Sequence, residues 1–146
     1  MSQIKKFFFL HIPKTGGKSI NHLFRKVYSA ENYIDHIESI DPKTMKTGAI
    51  EGKDFVSGHI PFPRISRHLD DFESRILFTF VREPFDHLIS HISWVRNLSL
   101  NPVKLHKHPP KVRALCSHLC EIDFNEIRQV ENFLSTMDNY AISAFE

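Results

Sequence analysis

Apolar positions along the chain come in two kinds, short unbroken runs and stretches with helical spacing. Ile4 to Ile12 is a Phe-rich run without polar alternation, as expected of a strand in a parallel sheet covered on both faces. Gly16-Gly17 breaks it, and from Lys18 to Tyr28 the residues Ile20, Leu23, Phe24 and Val27 recur at helical spacing. Residues 30 to 53 are mixed and polar, with turn signals at Asp41-Pro42 and Gly48, and their pattern assigns no element. Lys53 to Ser57 predicts a short strand ending in Gly58-His59. Arg75 to Val81, "RILFTFV", predicts a clearer buried strand that ends at Arg82. Pro84 then stands at the first turn of a helix running to about Val95. The stretch "NPVKLHKHPPK" reads as a loop, and helices follow over about Pro110 to Cys120 and Asn125 to Met137.

Strands alternating with helices imply βαβ units, hence an α/β fold on a parallel sheet. Repeats and low-complexity segments are absent from the sequence. The final "MDNYAISAFE" keeps apolar residues arriving at helical spacing without a cap, the pattern of a chain cut in mid-fold. At 146 residues the expectation is a single domain, 1–146. A net charge of +2, with Lys and Arg spread along the chain, gives no basic stripe for nucleic acid and is compatible with a small anionic ligand. The run Phe7 to Leu10 falls far short of the ~20 residues of a membrane span. Lys5-Lys6 imitates the start of a signal peptide, but the apolar stretch is too short and Pro13-Lys14 replaces a cleavage site. The expected location is therefore cytoplasmic, with no membrane span. Two cysteines, Cys116 and Cys120, make no disulfide framework.

The turn after the first strand carries the first candidate chemistry. At a strand–loop–helix junction the helix N-terminus offers unsatisfied N–H groups and partial positive charge to an anion. Gly16 and Gly17 let the backbone approach it, Thr15 and Ser19 offer hydroxyls, and Lys14 and Lys18 offer charge. A tight turn with surface lysines would look the same. Gly17-Lys18-Ser19 matches the end of a Walker A loop, yet Ile12 stands where the first glycine of that loop belongs. "HIPKTGGKS" instead closely resembles the His-x-Pro-Lys-Thr-Gly-Gly-Thr-Ser loop of carbohydrate sulfotransferases of the heparan-sulfate and related families. That resemblance implies a loop holding the 5′-phosphosulfate of PAPS (3′-phosphoadenosine 5′-phosphosulfate) with Lys14, Thr15, Gly16, Gly17, Lys18 and Ser19. It makes Lys14 the key cation, beside the bridging oxygen. Lys18 departs from the family's usual threonine.

A Walker-type NTPase needs an acidic residue at the end of a later strand to organise Mg²⁺. Here that strand ends in Arg82. "VREPFDHLISH" resembles the second sulfotransferase signature, which implies that Arg82 and Ser90 hold the 3′-phosphate. An Arg fork with a hydroxyl is a competent phosphate clamp. Taken alone, Arg-Glu-Pro also reads as a helix start with Glu83 opposing the dipole.

Sulfuryl transfer asks for a base and for cations at the departing phosphate. Among ten histidines, His59 closes a strand and should open onto the loop's edge of the sheet. It also resembles the Gly-His stretch of heparan-sulfate 2-O-sulfotransferases, which implies a general base. The alternative is a strand-end His bonded to a carbonyl. His11 is expected to support the loop, and His87, His91 and Trp94 share a helix face that suits packing. His106, His108, Cys116, His118 and Cys120 invite a zinc reading. Helical rotation, however, sets His118 off the Cys face and no Cys-x-x-Cys is present. The resemblance, over roughly residues 5 to 100, implies a three-layer, P-loop-like sulfotransferase domain lacking its C-terminal part. It implies PAPS as donor, a carbohydrate or other hydroxyl acceptor and no metal. An inactive nucleotide-binding fragment and a divergent P-loop kinase are the competing readings.

Overall fold

The computed structural model describes residues 5–40, 50–67, 69 and 71–143, with the side chains of 136–143 left out of that description. Ile4 and the turn signals at Asp41-Pro42 and Gly48 lie outside the described residues. Two compact units divide the chain, one ending at Arg82 and the other starting at Glu83.

The first unit contains β1 (Phe7–Leu10), α1 (Gly17–Val27), β2 (Tyr33–Ile34) and a 3₁₀ turn (Ile37–Ser39). It continues with β3 (Phe55–Gly58), α2 (Phe62–Ile65), a second 3₁₀ turn (Phe72–Ser74) and β4 (Ile76–Thr79). The strands form one parallel sheet in the order β2-β3-β1-β4. Mixed α/β architecture on a parallel sheet is the fold class that the alternation of patterns predicted.

Alternation along β1 divides two apolar layers. Phe8 joins Val56, Ile37, Ile50, Ile60, Ile65 and Leu69 in a buried cluster. Phe7 contacts the rings of Phe24 and Phe78, Phe9 stacks on Phe78, and Phe24 stacks on Phe55 at 4.3 Å between ring centres. Burial on both faces explains why β1 shows no polar alternation. A salt-bridged corner ties the starts of β1 and β4. The Arg75 side chain is fully buried and donates to both carboxylate oxygens of Asp71, at 2.8 and 2.9 Å, while Lys6 reaches Asp71 at 2.7 Å.

Three expectations change. The strands are shorter than their apolar runs, because residues beyond Leu10 and Thr79 leave the ladder to build loops. β4 is not buried as expected: Ile76 and Leu77 are each 41% exposed, since β4 is the edge strand of the described sheet. The unassigned stretch holds β2, two residues whose strand character comes from pairing with Phe55 and Val56 and not from periodicity.

The second unit is helical: α3 (Pro84–Ser99), α4 (Pro102–His106), α5 (Pro110–Cys120) and α6 (Ile127–Ser143). Glu83 caps α3 by accepting the Asp86 N–H at 2.8 Å. α4 occupies the expected loop at 101–111. Asn101 accepts the Lys104 N–H at 3.0 Å and Pro102 takes the first helical position, a start signal whose weight the lack of apolar spacing had hidden. Val95, Leu98, Leu115, Cys116, Leu119 and Phe133 form the buried centre. Trp94 lies 5.7 Å from both the His91 and His108 rings, as a packing stripe would. Cys116 is buried and Cys120 exposed, and this His/Cys-rich stretch brings no metal-ligating group together among the described residues. Among the described residues no helix is long and apolar enough to cross a membrane.

Candidate functional site

Register places three strand ends in one row. Leu10 pairs with Gly58 on one side and with Thr79 on the other, so His11, His59 and the Phe80–Arg82 segment leave the same edge of the sheet. The His11 N–H donates to the Gly58 carbonyl at 3.0 Å, and the Thr79 hydroxyl donates to the Leu10 carbonyl at 2.7 Å. β3 and β4 flank β1 on opposite sides, and ligands of parallel sheets bind in the crevice at such a divergence.

The loop from Ile12 to Gly16 turns tightly enough to put two residues in the left-handed region, Lys14 at φ 68° and Gly16 at φ 92°. For Lys14 this costs of order 1 kcal/mol, a strain that the surrounding loop must hold. The Thr15 hydroxyl donates to the Ile12 carbonyl at 2.8 Å, so its proton closes the turn and does not point outward. Gly16 precedes α1 with no side-chain cap, and the first turn carries no acidic residue. The helix N-terminus therefore keeps its positive character for an external anion. Lys18 and Ser19 are exposed on that turn, and Gly17 is buried.

His11 explains why position 17 is a glycine. A Cβ there would overlap the imidazole of His11, which is buried and stacks on Phe9 at 5.4 Å. Burial, and then the neighbouring His59 and His36, lower the His11 pKa to about 4, so the ring is neutral near pH 7. It is a structural support beneath the loop.

The cations converge. Burial lowers the Lys14 pKa first, and the charges of Lys18 and Arg82 lower it further. Lys14, Lys18 and Arg82 thus share one electrostatic neighbourhood at the edge of the sheet. Ser90 belongs to the second unit, half-buried on α3.

His59 makes the strand-end bond to a carbonyl. Its Nδ1 lies 2.6 Å from the His11 carbonyl, which can only accept, so Nδ1 carries the proton. In the neutral ring Nε2 then carries the lone pair, and it lies 3.9 Å from Glu38 Oε1. Glu38 accepts the His59 backbone N–H at 2.9 Å on Oε2, and its Oε1 lies 2.9 Å from His36 Nδ1. Burial acts to raise the Glu38 pKa, but the hydrogen bonds from the His59 N–H and from His36 outweigh it and hold the carboxyl below its ordinary range. Sequence reasoning missed Glu38 and His36, since they sit in the unassigned stretch. The only signal was indirect: Gly58 is bare because a Cβ would meet Ile37 Cγ1 at 2.5 Å and Glu38 Oε2 at 2.8 Å.

A family model described as the sulfotransferase family matches residues 1–95. The chain belongs to the sulfotransferase family. Comparison with curated proteins and with solved structures gave no match. The sulfotransferase match takes in β1 to β4 and most of α3, and with them the loop, His59, Arg82 and Ser90. Membership gives the chemistry in general terms: sulfuryl transfer to an acceptor hydroxyl. Glu83, the carboxylate next to the strand end, caps α3 in this sulfotransferase domain.

Proposed function

We propose that this sulfotransferase domain uses PAPS to sulfate a hydroxyl of a carbohydrate. The observation that carries this reading is the start of α1 at the strand-end row: Gly16 gives it no side-chain cap, its first turn carries no acidic residue, and Lys14, Lys18 and Arg82 gather at the same edge of the sheet. A positive helix start with cations beside it favours an anion, and a nucleotide with phosphates at both ends is such an anion.

In this reading the loop residues Lys14, Thr15, Gly16, Gly17, Lys18 and Ser19 hold the 5′-phosphosulfate, and Arg82 with Ser90 holds the 3′-phosphate. With its hydroxyl proton committed to Ile12, Thr15 contributes its backbone N–H. PAPS, when bound, supplies the sulfuryl group: the bond from sulfur to the phosphate oxygen breaks as the bond to the acceptor oxygen forms. Lys14 stabilises the charge left on the phosphate. His59 takes the acceptor proton on Nε2, the nitrogen that carries the lone pair in the neutral tautomer selected by its bond to His11.

Calorimetry with PAP (3′-phosphoadenosine 5′-phosphate) and with ATP–Mg²⁺, followed by transfer of labelled sulfate from PAPS to a panel of glycans, tests the proposal. PAP binding and glycan labelling are expected. ATP–Mg²⁺ binding without PAP binding would overturn it in favour of a kinase-like loop. PAP binding without any transfer would reduce the domain to a nucleotide binder.

A further inference from the structure

His36, Glu38 and His59 each offer a ligand atom, and these atoms lie within 4.8 Å of one another. The grouping is built by tertiary contacts. The 3₁₀ turn Ile37–Ser39 packs over Gly58, where there is no side chain to hold it off, and this sets Glu38 against His59. His36 enters that turn in the left-handed region, at φ 52°, a conformation uncommon outside glycine. Glu38 is held by its Oε2 through the His59 N–H, which leaves Oε1 facing both imidazoles, 2.9 Å from His36 Nδ1 and 3.9 Å from His59 Nε2.

The donor chemistry is specific. Two imidazoles and one carboxylate suit a divalent ion of the zinc type, with a fourth position for water or substrate. The outer partner is also in place. Metal-bound imidazoles usually donate their second N–H to a carbonyl or carboxylate, and His59 Nδ1 makes such a bond to the His11 carbonyl at 2.6 Å. Side-chain exposures of 46% for His36, 26% for Glu38 and 29% for His59 leave a path from solvent.

We propose that His36, Glu38 and His59 form a binding site for one Zn²⁺-class ion. Binding itself does not depend on the sulfotransferase mechanism. Its consequence rests on that reading: a metal on His59 Nε2 occupies the lone pair needed for the acceptor proton, so the ion inhibits transfer reversibly. The two competing uses of one nitrogen make His59 a point of control.

The test uses the untagged full chain. Zn²⁺ is titrated in competition with a chromophoric chelator, and Co²⁺ absorption reports the ligand type. One equivalent is expected to compete, without the thiolate-to-cobalt band that Cys116 or Cys120 would give. Glu38→Gln and His36→Ala should each weaken binding at least tenfold. Nitrogen NMR of the imidazoles on Zn²⁺ addition should move the His36 and His59 rings alone, a readout that needs no variant to fold. Failure to bind one equivalent, ring shifts elsewhere, or affinity unchanged in both variants would overturn the site. A separate assay then measures sulfate transfer with and without Zn²⁺. Inhibition in the parent chain that His36→Ala relieves supports the regulatory consequence, and inhibition that persists removes it. Absence of transfer altogether would count against the catalytic reading and leave the metal measurement standing.

Discussion

The ring of His59 is fixed by the backbone of His11: Nδ1 of one donates to the carbonyl oxygen of the other at 2.6 Å, and the two rings lie 4.0 Å apart. The strand-end bond to a carbonyl and the role of a base are therefore compatible in one side chain. The bond selects which nitrogen is free.

His59→Ala is expected to lower the transfer rate by about 10²-fold or more, the usual contribution of a positioned base, while PAP affinity changes little. Steady-state transfer assays beside PAP calorimetry measure the two separately. Equal losses in both would show that His59 shapes the nucleotide site and is not a base.

Lys18→Ala should raise the Lys14 pKa, since Lys18 is among the charges that lower it after burial. Nitrogen-detected NMR of the Lys14 ammonium reads this directly. The same change should weaken PAP binding by about tenfold at low salt, with the difference shrinking as salt rises. A salt-independent loss would point to loop distortion.

Gly17→Ala sets a methyl group into the buried His11 ring. Overpacking of this kind typically costs about 1–3 kcal/mol, and the loop should lose PAP affinity with it. His11→Ala alone leaves a cavity, but combined with Gly17→Ala it should recover part of the lost stability. Denaturant unfolding of the two single variants and the double variant gives the coupling, and strict additivity would refute the packing account.

Asp71 provides a pH test away from the site. Burial pushes its carboxyl up, yet hydrogen bonds from Arg75 and Lys6 dominate and hold it below its unfolded value of 3.8. A carboxyl with a depressed folded pKa stabilises the fold above the unfolded pKa, and that contribution is lost as pH falls from there through the folded value. Asp71→Asn leaves the buried Arg75 guanidinium without its ion partner, at a cost of about 1–3 kcal/mol near neutral pH. The gap in unfolding free energy between the parent and Asp71→Asn should narrow below pH 3.8. A gap constant across that range would show that the ion pair is not what the substitution removes.

Much of the sheet was legible because its strands declare themselves. Phe7 to Leu10 needs apolar cover on both faces, and only a central strand between helical layers supplies it. The loop was legible for a local reason as well: Gly16, Gly17 and the flanking lysines act within one turn. β4 misled because "RILFTFV" has the same composition as a central strand, and edge position is decided by partners, which composition does not carry. α4 was hidden since a five-residue helix begun by Asn101 and Pro102 is too short for periodicity to register.

The sequence by itself determined the parallel α/β class, the glycine-bearing turn after β1 and the presence of Arg82 and His59 just beyond strand ends, because these follow from neighbours in the chain. Tertiary structure alone decided what those residues meet. His11 from the first strand end locks the tautomer of His59 from the third strand, Gly17 is bare to admit His11, and Gly58 is bare to admit Glu38. Two of these contacts join segments far apart in the chain and the third closes the loop back on its own strand end, all chosen by parallel register and close packing. Linear spacing contains neither.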